Sequence, residues 1–399
     1  EAMVPAPLGI PRAREASGTA WLPDLSPMYA LHTMRGGWDL MLHGNGFLQY
    51  IDEGSRRGST QLGSVNWLMG MARRALGGGD VTLRAMLSAE PLTVGECGYP
   101  DLLATGESCD DRGFLHDRQH PHDLFMELAA MYERALTADL AIQLYVALAG
   151  EPALGPVSYP HRLSALWNPF APIAHHWQDA THISFGVLTA GVFGRQWKLE
   201  GSLFNGREPD EERFGLDLAR PDSYAGRIWF LPTERWALQL SAAHLNDAAR
   251  HLDARRTDVG RATASATYHA PVGARGYWAT TIAWGWNDEE GASPATSAFL
   301  LESTLNLDER NAFFGRGEVV GKSGEDLVLR EPALADEVFT VGKLQAGYAR
   351  QFGPFGGFLP GLGAVVSFSI PGDDLASFYD GSTAWGFAVF GSIRRARME

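Results

Sequence analysis

Leu140-Ala141-Ile142-Gln143-Leu144-Tyr145-Val146-Ala147-Leu148 decides the fold: every second residue is aliphatic, with Ala, Gln or Tyr between. A period of two is a strand with one apolar face. The rhythm returns at Trp197, Leu199 and Leu203, where Lys198, Glu200 and Ser202 take the alternate positions. Val81, Leu83, Ala85 and Leu87 repeat it around Thr82 and Arg84, as do Ala262, Ala264, Ala266 and Tyr268 around Thr263, Ser265 and Thr267. Near the end, Trp385, Phe387 and Val389 alternate with Gly386 and Ala388.

Working outward, such segments number sixteen: 38–51, 61–74, 80–91, 124–135, 139–149, 181–193, 195–206, 223–231, 235–245, 260–270, 276–287, 295–306, 310–321, 337–351, 357–370 and 383–394. Each is near the ~9–11 residues that a tilted strand needs to cross a bilayer, or a little longer. In 124–135, Leu124, Leu128 and Met131 would also suit a helix. The connections carry a second rhythm. After even-numbered segments they are turn-like, as at Gly77-Gly78-Gly79, Thr137-Ala138, Pro232-Thr233 and Gly353-Pro354. After odd-numbered segments they are mostly longer: 52–60, 92–123, 150–180, 207–222, 246–259, 288–294, 322–336 and 371–382. An even strand count with this parity points to an all-β chain: a transmembrane antiparallel β-barrel of about 16 strands, with short periplasmic turns and long extracellular loops. A soluble sandwich or solenoid also alternates, but rarely with so regular a short-long order, and no repeat motif is visible. Trp67, Trp197, Trp229, Trp236, Trp278, Trp284 and Trp385 are expected in interfacial girdles.

Composition narrows the field further. The 399 residues are 45% hydrophobic and 11% aromatic, enough to bury a large core rather than remain disordered. A mean hydropathy of −0.14 and the lack of an apolar run of about 18 residues exclude transmembrane helices, not barrel strands. With 33 basic against 47 acidic residues the net charge of −14 repels phosphates, so no nucleic-acid partner is expected. Cys97 and Cys109 cannot supply a zinc ribbon; a bridge between them inside loop 92–123 fits an oxidising exterior.

Residues 1–37 lack the alternation and are Pro-rich at the start. They are expected to be a periplasmic or lumen-lying segment preceding a barrel at 38–399. Glu1 is followed by no charged and apolar export signal, so the chain reads as a mature product.

Charges inside the strands should face the lumen, because Arg or Lys at the lipid midplane costs about 2–4 kcal/mol. Arg84, Glu127, Glu133, Lys198, Glu200, Arg227, Glu302, Arg316, Glu318 and Lys343 are therefore the expected lumen and pore-lining residues. Charges of mixed sign could line a water-filled channel or pair into a plug; at this strand number a channel is the geometric default unless loops or the N-terminus fill it.

Loop chemistry concentrates in His116-Asp117-Arg118-Gln119-His120-Pro121-His122-Asp123 and in His175-His176 with Asp179 and His182. Imidazoles with carboxylates suit copper or zinc, so His116, His120, His122, Asp123, His175, His176 and His182 are candidate metal ligands. The same groups would equally hydrogen-bond one another to pin long loops. Met28, His32 and Met34 form a third group, whose thioethers suit copper(I). His161, in Tyr159-Pro160-His161-Arg162, adds one more imidazole on a stiff loop. Gly321-Lys322-Ser323 lacks the glycine a phosphate loop needs and sits in a strand. No Gly-x-Ser-x-Gly elbow and no His-Glu-x-x-His occur, so no catalytic residue is assigned and the chain is not read as an enzyme.

Residues 116–128 (His-Asp-Arg-Gln-His-Pro-His-Asp-Leu-Phe-Met-Glu-Leu), 150–156 and 204–211 (Phe-Asn-Gly-Arg-Glu-Pro-Asp-Glu) carry a resemblance to a porin-like family of Gram-negative outer-membrane β-barrel proteins. The likeness spans nearly the whole chain and implies that fold and location; the motifs bring no activity with them. The end, Arg394-Arg395-Ala396-Arg397-Met398-Glu399, departs from the terminal aromatic usual in outer-membrane proteins, the nearest being Phe390. The expected function is porin-like passage of small polar solutes through the outer membrane. The alternative is a barrel whose His-rich loops bind copper or zinc for transport or sequestration. Outer-membrane lipid and small solutes are the expected partners, and porin-like analogy adds a homo-oligomer.

Overall fold

The computed structural model describes residues 6–109, 113–253, 255–291 and 294–398. Residues 1–5 of the N-terminal segment and 110–112 of loop 92–123 lie outside the described residues. In chain order the barrel strands are β1 (Trp38–Glu53), β2 (Thr60–Leu76), β3 (Gly79–Leu87), β4 (Phe125–Ala135), β5 (Ala141–Gly150), β6 (Ser184–Phe193), β7 (Trp197–Asn205) and β8 (Ser223–Thr233). They continue as β9 (Trp236–Arg250), β10 (Arg256–Val272), β11 (Gly276–Glu289), β12 (Thr296–Asn306), β13 (Asn311–Ser323), β14 (Val338–Gln351), β15 (Phe358–Ile370) and β16 (Ala384–Arg395). Each pairs antiparallel with the next, and β1 pairs with β16 from Asn45↔Arg394 to Glu53↔Gly386, which closes a sixteen-stranded barrel. Closure leaves no open ladder edge in the bilayer, where unpaired backbone groups would be costly.

The period-two pattern becomes a two-faced wall. Leu144, Val146 and Leu148 of β5 point outward and are exposed, whereas Gln143, Tyr145 and Ala147 between them are buried. Leu199, Ile228, Leu240, Ile282, Leu301, Val319 and Leu344 continue this apolar belt around the barrel. Trp197, Trp236 and Trp278 stand exposed near the short-turn ends of their strands and Trp385 near the long-loop end, as a girdle requires. Trp229 and Trp67 do not join them. Trp229 is 1% exposed and Trp67 packs on His161 inside, because both occupy inward positions of the alternation.

Turn chemistry fixes the short side. Gly77 and Gly78 both take positive φ between β2 and β3, which a two-residue hairpin of this hand demands. The long side differs in detail from the pattern reading. Segment 80–91 stops at Leu87, and Glu90–Thr93 turns into a helix with Pro91 at its start. The β9–β10 hairpin runs past an irregularity between Leu245 and Ala249, so its connection shrinks from 246–259 to 251–255. Within 1–37, Leu31–Arg35 does form a strand, joined to the start of β1 through Gly36 and Gly37.

The interior is largely filled by three inserted segments, residues 6–30, 98–106 and 151–183. Residues 151–183 are buried almost without interruption. Trp21 and Val157 pack with Phe193 and Trp229 of the wall, and Leu102, Ile173 and Trp177 pack with Leu300, Val320 and Val341.

Candidate functional site

All ten mid-strand charges point inward and are buried. Burial of that many charges requires pairing, and the partners come from the inserted segments. Arg227 binds Glu200 (2.9 Å), Glu151 (3.2 Å), the Gly155 carbonyl (3.1 Å) and Thr19 (3.0 Å). Lys198 donates to the Thr19 carbonyl and lies over the Trp21 ring. Arg84 donates to the Gly18 carbonyl at 2.5 Å and faces Glu127 and Glu15, each at 3.6 Å.

On the opposite wall Glu302 accepts from Arg162 (2.6 Å), Ser164 (2.8 Å) and Arg316 (3.1 Å). Arg316 reaches the Phe170 carbonyl (2.9 Å), Glu318 accepts from the Ala174 amide (3.0 Å), and Lys343 binds Glu53 (2.9 Å) and Asp101 (2.5 Å). Glu133 accepts from Gln143 (2.8 Å), and Glu127 from Tyr145 (2.7 Å). The lumen-facing set is therefore paired partly within the wall and partly with the inserted segments, rather than lining a water-filled surface.

Five of the seven candidate metal ligands fall into two groups, and two stand apart. His120 and His176 come together at the long-loop end on Glu107: His120 Nδ1 is 2.6 Å and His176 Nε2 2.9 Å from its two oxygens. One donor atom from each of the three lies within 4.8 Å of the others, so the trio could hold a cation. Glu107 stands outside both sequence clusters, and no local spacing signals it. Burial pushes its carboxyl up, but the His120 charge and hydrogen bonds from both rings outweigh this and hold it well below the usual carboxylate range. Burial opposes the His176 charge, yet hydrogen bonds to Glu107 and Glu208 raise that ring to about 9. His120 is lowered by burial despite the pull of Glu107.

His122, His175 and His182 form the second group, deeper inside, with ring centres 5.2 Å apart for His122–His182 and for His175–His182. Their nitrogens are largely committed: His122 to Glu90 (2.9 Å) and the Tyr159 hydroxyl (3.0 Å), His175 to Asp179 (2.7 Å), His182 Nδ1 to the Asp179 carbonyl (2.8 Å). These rings fasten the insert. His116 and Asp123 join neither group: His116 sits on Asp117 (2.9 Å), and Asp123 faces Arg213 (3.6 Å). Met28, His32 and Met34 do not assemble into one site either, since His32 pairs with Asp39 (2.8 Å) while Met28 lines a cavity with Met41, Met69 and Met71. Cys97 and Cys109 are bridged across 12 residues, tying together the loop that carries Glu107.

A closed sixteen-stranded barrel with an apolar belt, interfacial tryptophans and a polar inner wall has the architecture of the porin-like barrels of Gram-negative outer membranes. Solved structures agree on the fold. The OmpF of Salmonella typhi, solved in complex with daunomycin, superposes with a TM-score of 0.54 at 11% identity, covering 91% of this chain and 100% of that one. An anion-selective porin from Comamonas acidovorans gives 0.53 at 11% identity, covering 90% and 99%. OprB of Pseudomonas putida gives 0.52 at 8% identity, covering 90% and 94%. No family model and no curated protein matches the sequence.

Proposed function

We propose that the barrel is a porin-like passage for small polar solutes, held shut in this conformation by its inserted segments. The wall-to-insert charge network carries this reading. A permanent plug would be held as well or better by apolar contacts of the same size, because buried ion pairs rarely repay their desolvation. A wall of Arg, Lys and Glu, in contrast, is wetted readily once the inserts shift, and then suits polar cargo. Solute flux into proteoliposomes tests it: flux is slow for the native chain and rises when Glu302→Gln and Arg227→Gln loosen the network. Equal flux in both proteins contradicts it. The porin-like resemblance extends the proposal to a homo-oligomer, which cross-linking in native membranes reads directly.

A second reading is favoured by one observation, the convergence of His120, His176 and Glu107. Two imidazoles and a carboxylate suit zinc or copper(II), and the site lies at the long-loop end, facing the exterior in this orientation. It would gather the metal there for transport or sequestration. Zinc titration calorimetry on the folded protein tests it, with Glu107→Gln expected to abolish binding.

A further inference from the structure

A different set of donors gathers deeper in the lumen. The β1–β2–β3 register places His43, Met69 and Met86 in one inward cross-strand row, and Met41, Met71 and Arg84 in the next. His161, delivered by the inserted segment 151–183, completes the group from above. Its Nε2 lies 3.4 Å from the Met86 sulfur, and its ring is 5.7 Å from that of His43. A cavity of about 130 Å³ opens beside them, lined among others by Met41, His43, Met69, Met71 and His161. Methionines often merely fill gaps. His43 does not fit that account: its Nε2 is buried with no hydrogen-bond partner, although buried polar atoms are normally satisfied.

The geometry points to a binding site here for one soft monovalent metal ion of the copper(I) class, held by His43, His161 and the thioethers of Met69 and Met86. Neutral imidazole and thioether donors select copper(I) over harder cations. The carboxylate lining the cavity, Glu15, is already committed to Arg12 (2.6 Å) and Arg73 (2.5 Å). Arg84 nearby further disfavours a divalent charge. The site shares no residue with the Glu107–His120–His176 trio and stands or falls independently of the passage reading.

The test loads the purified, folded protein anaerobically with copper(I) supplied as its acetonitrile complex, in competition with a bathocuproine chelator. One equivalent is retained, excess zinc does not displace it, and X-ray absorption of the wild type shows a mixed sulfur and nitrogen shell. Met69→Leu with Met86→Leu weakens retention at least tenfold while the barrel remains folded. No retention by folded wild-type protein, or a shell of nitrogen and oxygen alone, overturns the proposal. The absorption spectrum decides without any variant, so a misfolded double variant leaves the outcome clear.

Discussion

Arg162 of the inserted segment meets Glu302 of β12 at 2.6 Å, Nε to Oε1, with both side chains 1% exposed. The same guanidinium holds Asp179 at 2.6 Å, so one side chain ties the insert both to itself and to the wall. Removing it strands two buried carboxylates. Arg162→Met is expected to cost about 3–5 kcal/mol, toward the lower end because Arg316 and His175 still partner Glu302 and Asp179. Adding Glu302→Met restores part of the loss. Urea unfolding of both variants in lipid checks the pair.

The belt makes a second prediction. Leu240 of β9 and Ile282 of β11 are each 56% exposed on the outer face of the barrel. Leu240→Arg or Ile282→Arg should destabilise the barrel by about 2–4 kcal/mol if the position lies at the bilayer midplane. The alanine variants at both positions, measured the same way, lose much less.

Acid and base should both loosen the rim, for opposite reasons. His176 is raised to about 9 by its carboxylate partners, so its contribution is complete below about 6.5 and is lost as pH climbs through 9. Glu107 is depressed, so its contribution is present above its ordinary range near 4.5 and is lost in stronger acid. Protection factors of the amides across residues 113–122, corrected for the intrinsic pH dependence of exchange, are highest between those limits and fall on either side. Zinc must displace the His176 proton, so its affinity rises by about tenfold per pH unit from 7 toward 9.

The disulfide acts locally. Closing a loop of this size restricts the unfolded segment by roughly 3 kcal/mol. Cys97→Ser with Cys109→Ser should hasten proteolysis within the 92–123 connection while barrel melting is unchanged, because neither Cys belongs to a barrel strand.

How far the sequence discloses these features follows from their range. Strand count, parity and the inward sense of charges such as Lys198 and Glu200 are local properties of a period-two pattern, and all sixteen segments were legible. Strand ends were less so: Leu87 ends β3 because Pro91 breaks the ladder two residues after the alternation has already lapsed. A lumen-lying course for residues 1–37 was one of two readings, but the insertion of the two long connections was not legible. Residues 150–180 read as an external loop, since Pro, Trp and His in irregular order carry no period; their burial comes from partners such as Glu302, about 140 residues away from Arg162. Long range likewise hides Glu107 from His176, and Trp229 looks like a girdle residue until the strand's inward face is assigned.

Conductance through a tethered insert tests the proposed gating of the passage most directly. Ser164 of the insert and Thr281 of β11 have their hydroxyls 2.8 Å apart, close enough for an engineered bridge. In a planar bilayer the native protein should show brief openings, and S164C/T281C should show none while oxidised and regain them on reduction. Conductance that is steady in the native protein, or identical with the bridge closed and open, would contradict the account.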